Sequence, residues 1–218
     1  MIVALTVSLS LFLNNSNSKN KDIDEDIKLS CVKIDTDLTS GSGFIYSIDE
    51  DNIYVITAYH VVSDGQYINV EINNNESLAG KLLGYDIYYD LALIEIDNVD
   101  NVIPLELGDS SLLKADDLVF VFDEMNSQNV VEGSVVSPLK TINNSIVVEG
   151  NSYEYELEDI ELSIEVLEGF SGSAVFNKNL EVVGIITMSS NDNKVYATPI
   201  NEIINFVNML KENRYKND

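Results

Sequence analysis

The chain has 218 residues, is 45% hydrophobic, and carries 37 acidic against 12 basic side chains, for a formal net charge of −25. That length and apolar content suit one or two compact domains with a real core and exclude a disordered chain. So negative a molecule argues strongly against a nucleic-acid partner, whose binding needs cationic groups to displace counterions, and it favours basic or neutral partners.

Residues 1–13 are almost wholly apolar or small, from Ile2 and Val3 to Leu11, Phe12 and Leu13. The run is too short for an ordinary membrane span and has the length of a signal-peptide apolar core, but it lacks a basic leader. It reads as an export signal or a clipped membrane anchor, and alternatively as a buried strand or helix. The first reading places the protein outside the cell, secreted or tethered through residues 1–13. Residues 14–26 form a polar linker with the acidic run Asp22-Ile23-Asp24-Glu25-Asp26, a solvated spacer.

From Ile27 onward, short β-prone runs alternate with Gly, Asn and Asp. They are Ser30–Ile34, Gly43–Ile48, Tyr54–Ala58, Tyr67–Ile72, Leu91–Ile96, Leu118–Phe122, Val130–Val136, Ser145–Glu149, Ser163–Leu167, Ala174–Phe176 and Val182–Met188. Regular short strands with turn signals predict an all-β sandwich or barrels. Turns are expected at Asn73-Asn74-Asn75, Asn143-Asn144 and Asn177-Lys178-Asn179, since Asn tolerates positive φ and bonds its own backbone. The pattern breaks at Asp109-Ser110-Ser111, between Gly108 and Asp117, leaving two segments of similar size. One helix closes the chain, over about 201–214. Asn201 is its expected cap, and Ile203, Ile204, Phe206, Val207 and Leu210 form an apolar stripe at helical spacing.

Cys31 is the only cysteine, so packing alone must hold the fold. With one histidine, one cysteine and no EF-hand loop, neither a metal nor another cofactor is expected.

The single histidine, His60, lies in Thr57-Ala58-Tyr59-His60-Val61-Val62. It is the one side chain that titrates near neutral pH unperturbed. Asp90 follows it by 30 residues and opens Asp90-Leu91-Ala92-Leu93-Ile94. Ser171 follows Asp90 by 81 and sits in Gly169-Phe170-Ser171-Gly172-Ser173-Ala174. Serine-mediated acyl transfer needs a base to take the hydroxyl proton, a group that fixes the base's tautomer, and donors for the oxyanion. Histidine, aspartate and serine in this chain order suit that chemistry. Gly169 allows the N–H groups of Gly169 and Ser171 to point at one spot, and Gly172 allows dihedrals a side chain would forbid.

On these residues the chain resembles the trypsin-like serine proteases of the chymotrypsin fold, closest in style to the bacterial branch of HtrA/Deg proteases and glutamyl endopeptidases. Gly41-Ser42-Gly43-Phe44-Ile45, the segments around His60, Asp90 and Ser171, and Val183-Gly184-Ile185-Ile186-Thr187 followed by Tyr196-Ala197-Thr198-Pro199-Ile200 carry the match in order. The resemblance implies two perpendicular six-stranded antiparallel β-barrels, an N-barrel of about 27–110 and a C-barrel of about 115–200, followed by the C-terminal α-helix. It implies a cleft between the barrels in which Ser171 is the nucleophile, His60 the base and Asp90 its orienter, acting on protein or peptide substrates. Gly169 and Ser171 would make the oxyanion hole. Thr187 falls where the family often has a serine bonded to the aspartate, and the backbone of Thr187, Met188 and Ser189 would pair with substrate. By position, Glu165 and Lys194 fall near the primary pocket: if both face it they would leave little charge preference, and the alternative is that both point to solvent. A histidine-based preference for glutamate is disfavoured because the one histidine is already used. Asp86 is a nearby rival to Asp90, which the Leu-Ala-Leu pattern favours.

Phe170 departs from the family, which usually has Asn or Asp there. Digestive members use an aspartate at this point to capture a freshly cut N-terminus, and Phe170 cannot. Either its ring packs under the loop, or the hole forms poorly until substrate binds. A catalytically silent fold that binds peptides in the same cleft is therefore the alternative function. With the chain ending at Asp218, the PDZ domain that HtrA proteins commonly append is not expected. The acidic field is expected to favour protonated His60 and shift an activity profile to higher pH at low salt.

Overall fold

The structure is a computed structural model, and it describes residues 27–72, 76–122, 130–148, 150–166, 169–189 and 194–217. The apolar run at 1–13, the acidic linker and the Asn73-Asn74-Asn75 turn lie outside the described residues. Six strands form a first closed barrel: β1 (Cys31–Asp35), β2 (Ser40–Ile48), β3 (Asn52–Ala58), β4 (Ile68–Ile72), β5 (Glu76–Asp86) and β6 (Leu91–Asp97). Six more form a second: β7 (Leu118–Phe122), β8 (Val130–Val148), β9 (Asn151–Ser163), β10 (Ala174–Phe176), β11 (Val182–Ser189) and β12 (Val195–Pro199). Neighbouring strands in both barrels run antiparallel. The barrels close through β1 with β4 and through β10 with β7. The all-β, two-barrel expectation holds.

The apolar runs are near-continuous because several strands are buried on both faces. In β3, Ile53 and Val55 fill the first barrel, while Tyr54 and Ile56 face a core between the barrels. In β6, Ala92, Ile94 and Ile96 point inward, and Leu91 and Leu93 point to the shared core. Period-2 alternation thus divides each strand between two apolar environments. The second barrel contributes Phe122, Ala174, Phe176, Val182 and Ile185 to the shared core. A short helix, α1 (Tyr59–Val62), leaves β3 directly, and α2 (Ile200–Asn217) leaves β12 directly.

Helix α2 buries Ile200, Ile203, Phe206 and Val207 in the shared core, with Ile204 and Leu210 partly buried against it. The predicted stripe is therefore the packed face. Leu210 lies over Gly84 of β5, where an added Cβ would come within 2.5 Å of a Leu210 methyl. The cap expectation fails. The helix starts at Ile200, and Asn201 instead ties it to the 3₁₀ turn at Ser110–Leu112, accepting from the Ser110 N–H (3.2 Å) and donating to Asp109 Oδ1 (3.0 Å).

Three other local expectations need correction. β5 was not expected from the sequence because Gly80, Lys81 and Gly84 interrupt its apolar pattern. Gly80 is there for close packing, since a Cβ would meet Ile68 and Ile94 methyls at under 3 Å. Asn143-Asn144 is not a turn but lies inside β8, paired with Tyr155 and Glu156 of β9. The strand expected at Ser163–Leu167 lies earlier, because β9 ends at Ser163. Asn177-Lys178-Asn179 does turn, with Asn177 Oδ1 accepting from the N–H groups of Asn179 and Glu181. Beyond the second barrel, β8 and β9 continue as a two-stranded ribbon through Val148 and Asn151.

Truncating Phe206 to alanine removes an aromatic ring from the shared core. It is expected to cost about 3–5 kcal/mol, read as a lower urea midpoint at unchanged m-value.

Candidate active site

The barrels meet where three loops converge. His60 is the second residue of α1, immediately after β3, and Asp90 ends the four-residue turn between β5 and β6. Because β3 and β6 pair from Asn52↔Asp97 to Ala58↔Leu91, their ends bring the two residues side by side. Asp90 Oδ2 lies 2.5 Å from His60 Nδ1, and Asp90 Oδ1 accepts the His60 backbone N–H at 2.8 Å. The Asp90 carbonyl also accepts the Tyr59 N–H at 2.9 Å. Three bonds from one residue thus hold ring and backbone together. Asp90 adopts φ of +54°, a left-handed conformation that Asp tolerates better than most residues. Asp86 shapes the turn instead, its Oδ1 accepting from the N–H groups of Tyr88 and Tyr89.

The Ser171 loop belongs to the second barrel but is held by the first. Ser42 of β2 donates its N–H to the Ser171 carbonyl (2.8 Å) and its hydroxyl to the Gly169 carbonyl (2.8 Å). Thr57 of β3 donates to the Ser42 carbonyl at 2.7 Å, fixing that strand in turn. Gly172 has φ of +88°, and a Cβ there would sit 1.9 Å from the Ser42 carbonyl oxygen, so no side chain fits. On the other side, Gly172 N–H donates to the Ile186 carbonyl at 2.8 Å. Among the described residues, the N–H groups of Gly169 and Ser171 have no hydrogen-bond partner. Phe170 is 3% exposed and packs with Val119, Val121, Val175 and Ile186 inside the second barrel. Its ring packs under the loop, the first of the two placements considered from sequence.

His60 and Ser171 line one cavity of about 860 Å³ together with Gly169, Glu165, Ser189 and Lys194. Glu132 of β8 lines it too, which the sequence did not signal. Among the described residues, no hydrogen bond joins the Ser171 hydroxyl to His60, and such bonds often tighten only once substrate is bound. Thr187 does not bond Asp90 as expected. Its hydroxyl lies 3.3 Å from that of Thr198, which donates to the Tyr89 carbonyl at 3.0 Å. Thr187 and Met188 instead line a second, smaller cavity on the Asp90 side of His60. No described strand pairs with the β10-side edge of Thr187–Ser189. β10 pairs with β11 only up to Ile185, and Gly172 and Ser173 take the backbone groups of Ile186. Ser42, Thr57 and Glu132 are the site residues that sequence reasoning missed. Ser42 and Thr57 lay inside quoted motifs, but no periodicity marks Ser42 for a contact 127 residues away or Thr57 for the bond that supports it.

The hydrogen bond to Asp90 raises the His60 pKa above its ordinary value, against a smaller opposing effect of burial. The cause is one bonded partner more than a diffuse acidic field. A pKa raised by folding contributes stability that is full below the unfolded-state value and is lost as pH rises through the folded value. The only imidazole in the chain should therefore titrate by NMR with a midpoint above about 6.5, and Asp90→Asn should lower that midpoint. Phe170→Ala should cost about 3–5 kcal/mol in urea denaturation, because it empties a site in the second barrel's core.

The profile of the trypsin-like peptidase domain matches residues 41–185. Proteins named serine protease HtrA-like from Staphylococcus aureus (strains MRSA252 and USA300 among them) are 28% identical over 182 residues, which is 78% of this chain and 23% of the relative. The chain thus spans less than a quarter of the length of the curated relatives it matches. A crystal structure of Rv3671c from M. tuberculosis H37Rv, a serine-to-alanine mutant in an inactive form, shares the fold with a TM-score of 0.70 at 18% identity, over 85% of this chain and 88% of that one. Two closed barrels with a serine loop clamped between them, and a family match across most of both, lead to one assignment: the chain belongs to the trypsin-like peptidase domain family.

Proposed function

We propose that the protein is a serine endopeptidase that hydrolyses peptide bonds of protein substrates through an acyl-enzyme on Ser171. The observation that carries this reading is His60, held by Asp90 through Nδ1, facing the same cavity as Ser171. Asp90 holds Nδ1 and leaves Nε2 as the basic nitrogen. His60 takes the Ser171 proton as Oγ attacks the carbonyl carbon, then delivers it to the leaving amine. Asp90 stabilises the imidazolium formed in between. The N–H groups of Gly169 and Ser171, without partners among the described residues, receive the oxyanion, a contribution of about 10²–10³-fold per donor. A second round with water, activated by His60, releases the acyl group and restores the serine. The edge at Thr187, Met188 and Ser189 receives the substrate as an added strand.

Glu165 and Lys194 line the primary cavity with opposite charges, and Glu132 adds a second carboxylate, so the primary pocket suits neutral or basic side chains over acidic ones. In this reading residues 1–13 supply the export signal or the membrane tether, and the family relation to serine proteases of bacteria supports protein substrates.

A second reading, a cleft that binds peptides without cutting them, is favoured by the absence of a hydrogen bond between the Ser171 hydroxyl and His60 among the described residues. Labelling with a fluorophosphonate separates the two. Covalent labelling is expected in the native chain and should vanish in Ser171→Ala and His60→Ala. Asp90→Asn should retain the fold but lose about 10⁴-fold in kcat, since it leaves His60 in the wrong tautomer. A native chain that neither labels nor cleaves a peptide library would establish the binding reading.

A further inference from the structure

The second cavity, about 200 Å³, is far larger than the ~10–15 Å³ that one water requires. Its lining joins Tyr88, Tyr155, Leu157 and Met188 to one buried carboxyl, Asp159, beside His60. Tyr155, Leu157 and Asp159 alternate along β9, so one face of that strand supplies all three. Asp159 is 2% exposed, and its Oδ1 has no hydrogen-bond partner. Its register neighbour on β8, Lys140, pairs with Glu161 at 3.7 Å. Among the described residues, no cation pairs with Asp159.

We propose that this cavity is a subsite for a cationic side chain, lysine or arginine, with Asp159 as its counter-ion, at the substrate position just before the one whose carbonyl meets Ser171. The inference rests on the peptidase reading for its register. A strand added along Thr187–Ser189 sends successive side chains to opposite faces. His60 borders both cavities, sharing one with Ser171 and Ser189 and the other with Asp90, Thr187 and Met188. Adjacent substrate side chains therefore enter different cavities.

The chemistry fits a long cation. Leu157 and Met188 accommodate a methylene stem, and tyrosine faces attract a cationic head. An unpaired buried carboxyl gains more from a charged donor than a solvated one does. The acidic molecule as a whole concentrates cations at its surface. Burial first, and then the Asp90 charge, push the Asp159 pKa up to about 7, against a smaller opposing effect of the nearby Thr198 hydroxyl. The groups facing it are Asp90 and His60 from the first barrel, Tyr88 and Tyr89 on the Asp90 turn, and Tyr155 on its own strand. None supplies a fixed positive charge. Below neutral pH Asp159 is neutral and discriminates little. Above it the carboxylate awaits a cation, so preference for lysine grows with pH.

The test compares two fluorogenic tripeptide amides, Ac-Ala-Lys-Ala and Ac-Ala-norleucine-Ala, whose leaving group fixes the register. The native chain is expected to favour the lysine peptide in kcat/KM by roughly tenfold at pH 8, the worth of one charge-assisted bond, and by about twofold or less at pH 6. Asp159→Asn, which keeps shape and removes charge, should bring the ratio at pH 8 to within about twofold. Fluorophosphonate labelling of the same samples reports separately on Ser171. If Ser171 labels and the two peptides are cut equally at pH 8, or Asp159→Asn keeps the preference, the subsite is overturned while the peptidase reading stands. If Ser171 does not label, binding of both peptides by calorimetry decides: tighter binding of the lysine peptide, abolished in Asp159→Asn, supports the subsite, and equal binding overturns it.

Discussion

The structure depends on one strand of the first barrel gripping a loop of the second. Ser42 gives its backbone N–H to Ser171 and its hydroxyl to Gly169, 127 residues away in sequence. Thr57 secures the Ser42 carbonyl from the next strand, and Gly172 leaves just enough space for that carbonyl to approach. Each bond contributes only about 1 kcal/mol to stability. Their larger effect is to bring the serine loop, built by one barrel, to the histidine and aspartate built by the other. The apolar core between the barrels keeps the two bodies close enough for that grip, and Phe170 holds the loop from below.

Electrostatics in the cleft follow from scarcity. The chain has one histidine, and Asp90 binds it through both ring and backbone. A second carboxyl, Asp159, sits beyond Asp90 in an apolar setting. Asp90 is bonded to His60, whereas burial and the neighbouring Asp90 charge drive Asp159 toward its neutral form.

What the sequence conveyed depended on the range of the interaction. Two barrels and a closing helix were legible because strand runs and a 3.6-residue stripe are local patterns. His60 and Asp90 were legible as candidates because each sits in a short motif at a strand end. β5 was not, since Gly80 and Gly84 look like turn residues until Ile68, Ile94 and Leu210 are seen filling the space above them. Asn201 looked like a helix cap because the competing partner, the 3₁₀ turn at Ser110, lies some ninety residues upstream. Asn143-Asn144 looked like a turn, but pairing across a long ribbon overrode local preference. Asp159 was one acid among 37 acidic side chains, and only burial distinguishes it.

The ribbon made by the far ends of β8 and β9 has a further effect. A lone two-stranded hairpin is barely stable in water. This one finds support where Tyr155 meets the Asp90 turn, its hydroxyl donating to the Tyr88 carbonyl at 3.3 Å and its ring set edge-on to that of Tyr88 at 5.1 Å. Ribbon and turn thereby brace each other and form one cooperative unit across the barrel boundary. Whatever grips the outer hairpin would stiffen the bed beneath the imidazole, and whatever frays it would loosen that bed.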